Sequence, residues 1–114
     1  AELLIADPMI DALLCGSDEL ALEALAALAA RGIAVPDHVS VIGYGNLDDA
    51  SFSTPSLTTI DPGTARLART AIDLLAQRLA GTGGEEARRV LLPVDLIRRE
   101  STLGAGTNSA TGAA

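Results

Sequence analysis

Between Ala12 and Tyr44 the chain spells a strand, a helix and a second strand, joined by short links. Ala12-Leu13-Leu14-Cys15 is a continuous apolar run bounded by Asp11 and Gly16, the pattern of a strand buried on both faces. Ser17 or Asp18 caps a helix that runs to about Arg31. Glu19 and Glu23 put negative charge in its first two turns, Arg31 stands in its last, and Gly32 follows as C′. The turn Val35-Pro36-Asp37 then leads into a β-branched run, and residues 39–44 read as the second strand. Two strands linked through a helix by short connections form a parallel pair with a right-handed crossover. The fold class is therefore α/β, built on a parallel sheet flanked by helices.

The remainder extends that sheet. Residues 47–56, with Ser, Thr and Pro55, read as a loop, and Leu57-Thr58-Thr59-Ile60 as a third strand. Asp61-Pro62 opens a second helix, Asp as N-cap and Pro at the first helical position. Its apolar residues Leu67, Ala68, Ala71, Ile72, Leu75 and Leu79 make one helical stripe. Gly81-Thr82-Gly83-Gly84 ends it in a turn. Val90-Leu91-Leu92 and Leu96-Ile97 read as two strand pieces joined at Pro93. Residues 104–114 are Gly, Ala, Thr, Ser and Asn, a disordered tail by composition. At the other end, residues 2–6 look like the close of a helix stopped by Asp7-Pro8, so the chain reads as a piece of something longer.

Composition narrows what this sheet can do. The chain has 114 residues, enough for one domain, and is 48% hydrophobic but only 2% aromatic, so the core is made of Ala, Leu, Val and Ile. Its formal charge is −7, and a surface of that sign repels phosphate backbones, which makes this segment a poor nucleic-acid binder by itself. Cys15 is the only cysteine, which leaves no disulfide framework and reads as a buried, inert thiol. No apolar run approaches the ~18 residues of a membrane span.

The candidate chemical motifs each fall short. Gly43-Tyr44-Gly45-Asn46-Leu47-Asp48 is the first half of a dinucleotide fingerprint, but Asp48 stands where the third glycine belongs and no helix is expected behind it. Ser17 and Asp18 adjoin without the spacing of a nucleophile elbow. His38 lies in a turn. Asp48 and Asp49 are adjacent loop carboxylates of the kind that are solvated or cap a turn. The doublets Arg88-Arg89 and Arg98-Arg99 lack interleaved aromatics and read as solvated strand edges or ion-pair partners. No catalytic residue, metal site or cofactor is expected.

The first helix has one unusual property. Leu20, Leu22, Leu25 and Leu28 spread over roughly 200° of its circumference, against the ~100° that a one-sided surface helix needs. Either it is sandwiched within one subunit, or one side packs on the sheet and the other on a partner.

The order of motifs resembles the effector-binding core of the LacI/GalR family of bacterial transcription regulators. The resemblance runs over about residues 1–103. It is carried by Asp11-Ala-Leu-Leu-Cys-Gly-Ser-Asp18, Ala21-Leu22, Arg31-Gly-Ile-Ala-Val-Pro36, Val39-Ser-Val-Ile-Gly-Tyr44, Thr54-Pro-Ser-Leu-Thr-Thr-Ile60, and Leu91-Leu-Pro93 through Arg99-Glu-Ser101. It implies a type I periplasmic-binding-protein-like fold, present here as the C-terminal fragment of a two-lobed domain. Residues 1–59 and 97–103 would belong to the C-terminal lobe and 63–92 to the N-terminal lobe, with the chain crossing near Ile60-Asp61-Pro62 and returning near Val94–Leu96.

The same resemblance implies a cytoplasmic regulator whose small-molecule effector, a sugar or related compound, binds between the lobes. The site residues it points to are Ser17, Gly45, Asn46 and Pro62. The position of Gly45 is commonly Asp in the family, and that of Pro62 follows a Thr-Thr-Ile-x and is often Gln, so two polar contacts are missing. The resemblance further implies a homodimer through the first helix, at Leu22, Leu25 and Ala26, and contact with DNA only through an N-terminal helix-turn-helix outside this chain. A sugar-binding protein of an importer shares the fold and is the alternative.

Overall fold

The computed structural model describes residues 7, 9–84 and 86–103, so the helix end expected at 2–6 and the tail expected at 104–114 lie outside the described residues. Four strands form one sheet in sequence order: β1 (Ala12–Leu14), β2 (Ser40–Tyr44), β3 (Thr58–Asp61) and β4 (Asp95–Ile97). β1–β2 and β2–β3 are parallel, with Leu13 opposite Val41 and Gly43 opposite Thr59. β4 returns antiparallel to β3, with Asp61 opposite Asp95. The helices are α1 (Asp18–Ala29), α2 (Asp48–Phe52), α3 (Thr64–Leu79) and α4 (Glu100–Leu103). The α/β class and the mostly parallel sheet are as the sequence implies.

α1 forms where its cap dictates. Ser17 is the N-cap in extended backbone, and its hydroxyl oxygen accepts the N–H of Leu20 at 3.3 Å. The helix stops two residues before Arg31, with Ala30 as C-cap and Gly32 turning left-handed at φ +68°. Its inner stripe of Ala21, Leu25 and Leu28 packs with Val39, Val41, Ala50 and Leu57 to form the core. Each such Leu or Val, fully removed from water, contributes about 1.5–3 kcal/mol.

Several expectations are corrected. β1 is not buried on both faces: Leu14 is 73% exposed, because nothing among the described residues covers that side of the sheet. Residues 48–52 are a short helix rather than loop, its backbone closed by Ser53 N–H to the Asp49 carbonyl. Asp61 does not cap the second helix. It ends β3, and Gly63, at φ +65°, is the N-cap of α3. No strand forms at Val90–Leu92, which has no partner strand among the described residues. Cys15 is half-buried rather than buried.

α3 stands apart from the sheet. None of its 16 residues is buried, and its apolar stripe is open, with Leu67, Ile72, Leu75 and Leu79 all exposed. The radius of gyration is 18.5 Å, against about 13 Å for a compact domain of this length. The sheet with α1, α2 and α4 is one packed body, and the segment from Pro62 to Val94 projects from it.

Candidate functional site

The C-terminal ends of the parallel strands converge on one edge of the sheet, the place where open α/β sheets bind ligands. Leu14, Cys15 and Gly16 from the end of β1, Tyr44 from β2 and Ile60 from β3 line a hollow of 370 Å³. Its walls are apolar. Burial pushes the Cys15 thiol above its ordinary pKa, so it is a poor nucleophile there.

Behind the hollow, the strand ends are held by one buried acid. Asp18, the first residue of α1, is 0% exposed. Its Oδ2 accepts the Leu47 N–H at 2.7 Å and its Oδ1 accepts the Thr59 hydroxyl. The helix N-terminus favours a negative charge at that point. Gly43 is required by this arrangement: a Cβ there would overlap Asp18 Oδ1 and come within 3.0 Å of Leu57 Cδ2. The sequence marks Asp18 only as a possible cap. The glycine in Val-Ile-Gly-Tyr, opposite a threonine on the neighbouring strand, was the available signal that something approaches closely.

The four expected effector residues stand at this edge, but the two with polar side chains, Ser17 and Asn46, are already bonded within the chain. The Ser17 hydroxyl caps α1 and bonds Glu19, whose carboxyl is held low first by its own backbone N–H and then by Ser17. Gly45 has no side chain, and its N–H donates to the Ile60 carbonyl at 2.8 Å. Gly45 adopts φ +133° and Asn46 φ +53°, two successive left-handed residues of the kind that glycine and asparagine tolerate. Asn46 does not line the hollow; its Nδ2 donates to Asp61 Oδ2 at 2.9 Å and its Oδ1 accepts from Arg99 Nη2 at 2.9 Å. Pro62 is half-buried just beyond β3.

A second network ties the C-terminal strand and helix to the opposite edge, the N-terminal ends of β2 and β3. Arg99 Nη1 donates to the Leu57 carbonyl at 2.8 Å, and Ser101, fully buried, donates to the Val41 carbonyl while accepting the Thr58 N–H. Glu100 Oε2 accepts both the N–H and the hydroxyl of Ser56 at 2.9 Å, which holds its carboxyl below the ordinary range. The Gly63 N–H and then the Asn46 amide do the same for Asp61. Arg98-Arg99 is thus not simply a solvated edge: Arg98 is exposed, while Arg99 is an internal brace.

The expected dimer residues divide. Ala26 is exposed and Leu22 half-buried, but Leu25 is 6% exposed and belongs to the core. Leu20, at 56% exposure, is the large apolar residue on the outward side. Among the described residues no group of three or more His, Cys, Asp or Glu is placed to hold a metal ion, and no helix is long and apolar enough to cross a membrane.

Comparison with known proteins gives a consistent picture. The family of periplasmic binding protein-like domains matches residues 2–102. An HTH-type transcriptional repressor PurR from Histophilus somni is 38% identical over 98 residues, 86% of this chain and 29% of that repressor. The chain thus spans under a third of its curated relative. A CelR regulator in complex with cellobiose superposes with a TM-score of 0.81 at 36% identity, over 88% of this chain and 30% of that one. The lac repressor dimer bound to operator and the anti-inducer ONPF superposes at 0.76 with 33% identity, over 88% and 35%.

Proposed function

Because this chain belongs to the periplasmic binding protein-like domain family, within the LacI/GalR group of effector-binding domains, we propose that it is the effector-sensing and dimerisation portion of a bacterial transcriptional regulator. The observation that carries the reading is the match over residues 2–102, joined to an open cleft at the strand ends. The relatives named are repressors and regulators, not enzymes. With a charge of −7 the segment would be repelled by DNA, so operator contact belongs to a headpiece elsewhere in the protein.

In this reading residues 1–59 and 97–103 form one lobe and 63–92 part of the other. That allocation accounts for the projection of α3, whose open stripe would pack on the rest of its lobe. Ser17, Gly45, Asn46 and Pro62 edge the cleft. The wall this chain contributes is apolar, and a sugar or related effector draws its polar contacts mostly from the remainder of the cleft. The regulator is a cytoplasmic homodimer through α1 at Leu22 and Ala26, with the buried Leu25 supporting that face from within. Effector binding shifts the population of lobe arrangements, and the dimer conveys it to the DNA.

The test uses the full-length protein in a gel-shift assay on DNA flanking its own gene, with thermal-shift screening against pentoses, hexoses and nucleobases. Retardation by the full-length protein and none by this 114-residue chain is expected. A full-length protein that retards no DNA at low salt overturns the reading.

A further inference from the structure

Asn46 reaches two places at once. Asp61, which accepts from its Nδ2, is the last residue of β3, and its other oxygen accepts the Gly63 N–H at 2.7 Å. This is where the chain leaves the sheet. Arg99, which donates to its Oδ1, lies two residues beyond β4, at the end of that strand away from the crossing, and is anchored in the sheet by its bonds to the Thr58 hydroxyl and the Leu57 carbonyl. β3 and β4 are adjacent, with Asp61 opposite Asp95, so departing and returning strands lie side by side. Asn46, just past the end of β2, therefore ties the departing strand at Asp61 to Arg99 in the body of the sheet.

An amide suits this position because it offers a donor to an anion and an acceptor to a cation simultaneously. A carboxylate there would face Asp61 with like charge, and an alkyl group would bond neither partner. The charged groups around it are Asp61 and Arg99 and, one step out, Arg66, whose guanidinium lies 3.9 Å from Asp95. Arg66 also donates to the Pro93 carbonyl at 2.7 Å, linking the departing connection to the returning one.

We propose that Asn46 is a positioning residue, a clasp that fixes the orientation in which the segment from Pro62 to Val94 leaves the sheet, rather than a ligand of the effector. The inference rests on reading that segment as part of a second lobe. The clasp then sets the resting lobe arrangement on which an effector acts, since a ligand shifts a pre-existing equilibrium. The left-handed pair Gly45-Asn46 serves this end: the backbone turn delivers the Asn46 side chain to the departing crossing at Asp61.

Hydrogen exchange of the unliganded full-length protein tests it. Asn46→Ala should speed exchange about ten-fold or more in the amides of 63–66 and 97–100 and leave those of β1 at the wild-type rate. Asn46→Asp keeps the acceptor for Arg99 but sets a carboxylate against Asp61. Its exchange at 63–66 should be fast at about pH 7.5 and return toward wild type at about pH 4.5, after correction for intrinsic rates, because a proton shared by the two carboxylates restores the missing donor. Unchanged exchange at 63–66 in Asn46→Ala, an equal rise throughout the sheet, or a pH-independent Asn46→Asp overturns the clasp. Those results leave the regulator reading intact, whereas loss of DNA retardation in the wild-type protein sinks that reading and leaves the exchange pattern standing.

Discussion

Replacing Gly43 by alanine should destabilise the full-length protein severely. The new Cβ overlaps Asp18 Oδ1, meets Leu57 Cδ2 at 3.0 Å, and lies 3.2 Å from Asp18 Cα, which is backbone and cannot swing away. Overpacking of this kind costs about 1–3 kcal/mol. Relieving it by moving Asp18 breaks the bonds to the Leu47 N–H and the Thr59 hydroxyl, and each buried partner left unpaired costs about 1–3 kcal/mol. The two routes are partly alternatives, so the expected loss is about 3–5 kcal/mol. Urea denaturation of wild type, Gly43→Ala, Asp18→Ala and the double variant measures it. With the carboxylate gone, the added methyl loses its worst contact, so the double variant should be more stable than the sum of single effects by about 1.5 kcal/mol or more. A Gly43→Ala cost below about 1 kcal/mol, or strict additivity, refutes the close approach of Asp18 to β2.

Three further outcomes are expected. Gly45→Ala should destabilise by about 1–3 kcal/mol from backbone strain alone, since φ is +133° while the space around a Cβ is ordinary, 3.7 Å to Asp18 Oδ2; equilibrium urea melts check it, and a neutral result means that the turn relaxes. Glu100 has its folded pKa depressed below the ordinary 4.5 by the Ser56 N–H and hydroxyl. Its contribution is therefore present above about pH 4.5 and lost as pH falls through the lower folded value. Glu100→Gln should flatten acid destabilisation in that window, and an unaltered acid melt counts against the bond. Ile72→Ala should cost about 2–4 kcal/mol in the full-length protein if the α3 stripe is packed there, although Ile72 is 64% exposed in this chain; a loss under about 0.5 kcal/mol, the size of a surface substitution, shows the stripe to be solvated.

Local signals carried the reading where local chemistry decides. Ser17 caps α1 because its hydroxyl can satisfy an orphan N–H, and that requirement is visible within a single turn of sequence. The strand at 40–44 follows from β-branching and the turn before it. Misses at β1 and at Val90–Leu92 have one physical cause. Apolar patterning reports that a residue expects cover, but not whether the cover lies in the same segment. Leu14, Leu91 and Leu79 are all apolar and all exposed. Round α1 the pattern placed four leucines on a wide arc without dividing them, and packing assigned Leu25 and Leu28 to the sheet and left Leu20 outside. The short helix at 48–52 has no side-chain cap and only five residues, so it carried no signal stronger than the Ser and Pro that follow it.

Position 45 exposes a different limit. Compared with an aspartate, a glycine looks like a deletion, one carboxylate fewer in a cleft. Here the absent side chain is coupled to a backbone at φ +133°, to a left-handed Asn46, and to the bonds that Asn46 makes with Asp61 and Arg99. Glycine does not merely leave a gap; it permits a turn that an L-residue resists. Gly45→Asp is therefore not a clean reversal. If aspartate pulls the backbone out of the left-handed region, it withdraws Asn46 from its partners as well, and any altered ligand response mixes a new carboxylate with a freed crossing. The two effects separate when exchange at 63–66 is followed in the same variant. A changed ligand response with wild-type exchange assigns the effect to the cleft. A changed response with fast exchange assigns it to the crossings. If Gly45→Asp binds as wild type does while its exchange rises, cleft and crossings are uncoupled, and the idea that one turn serves both is wrong.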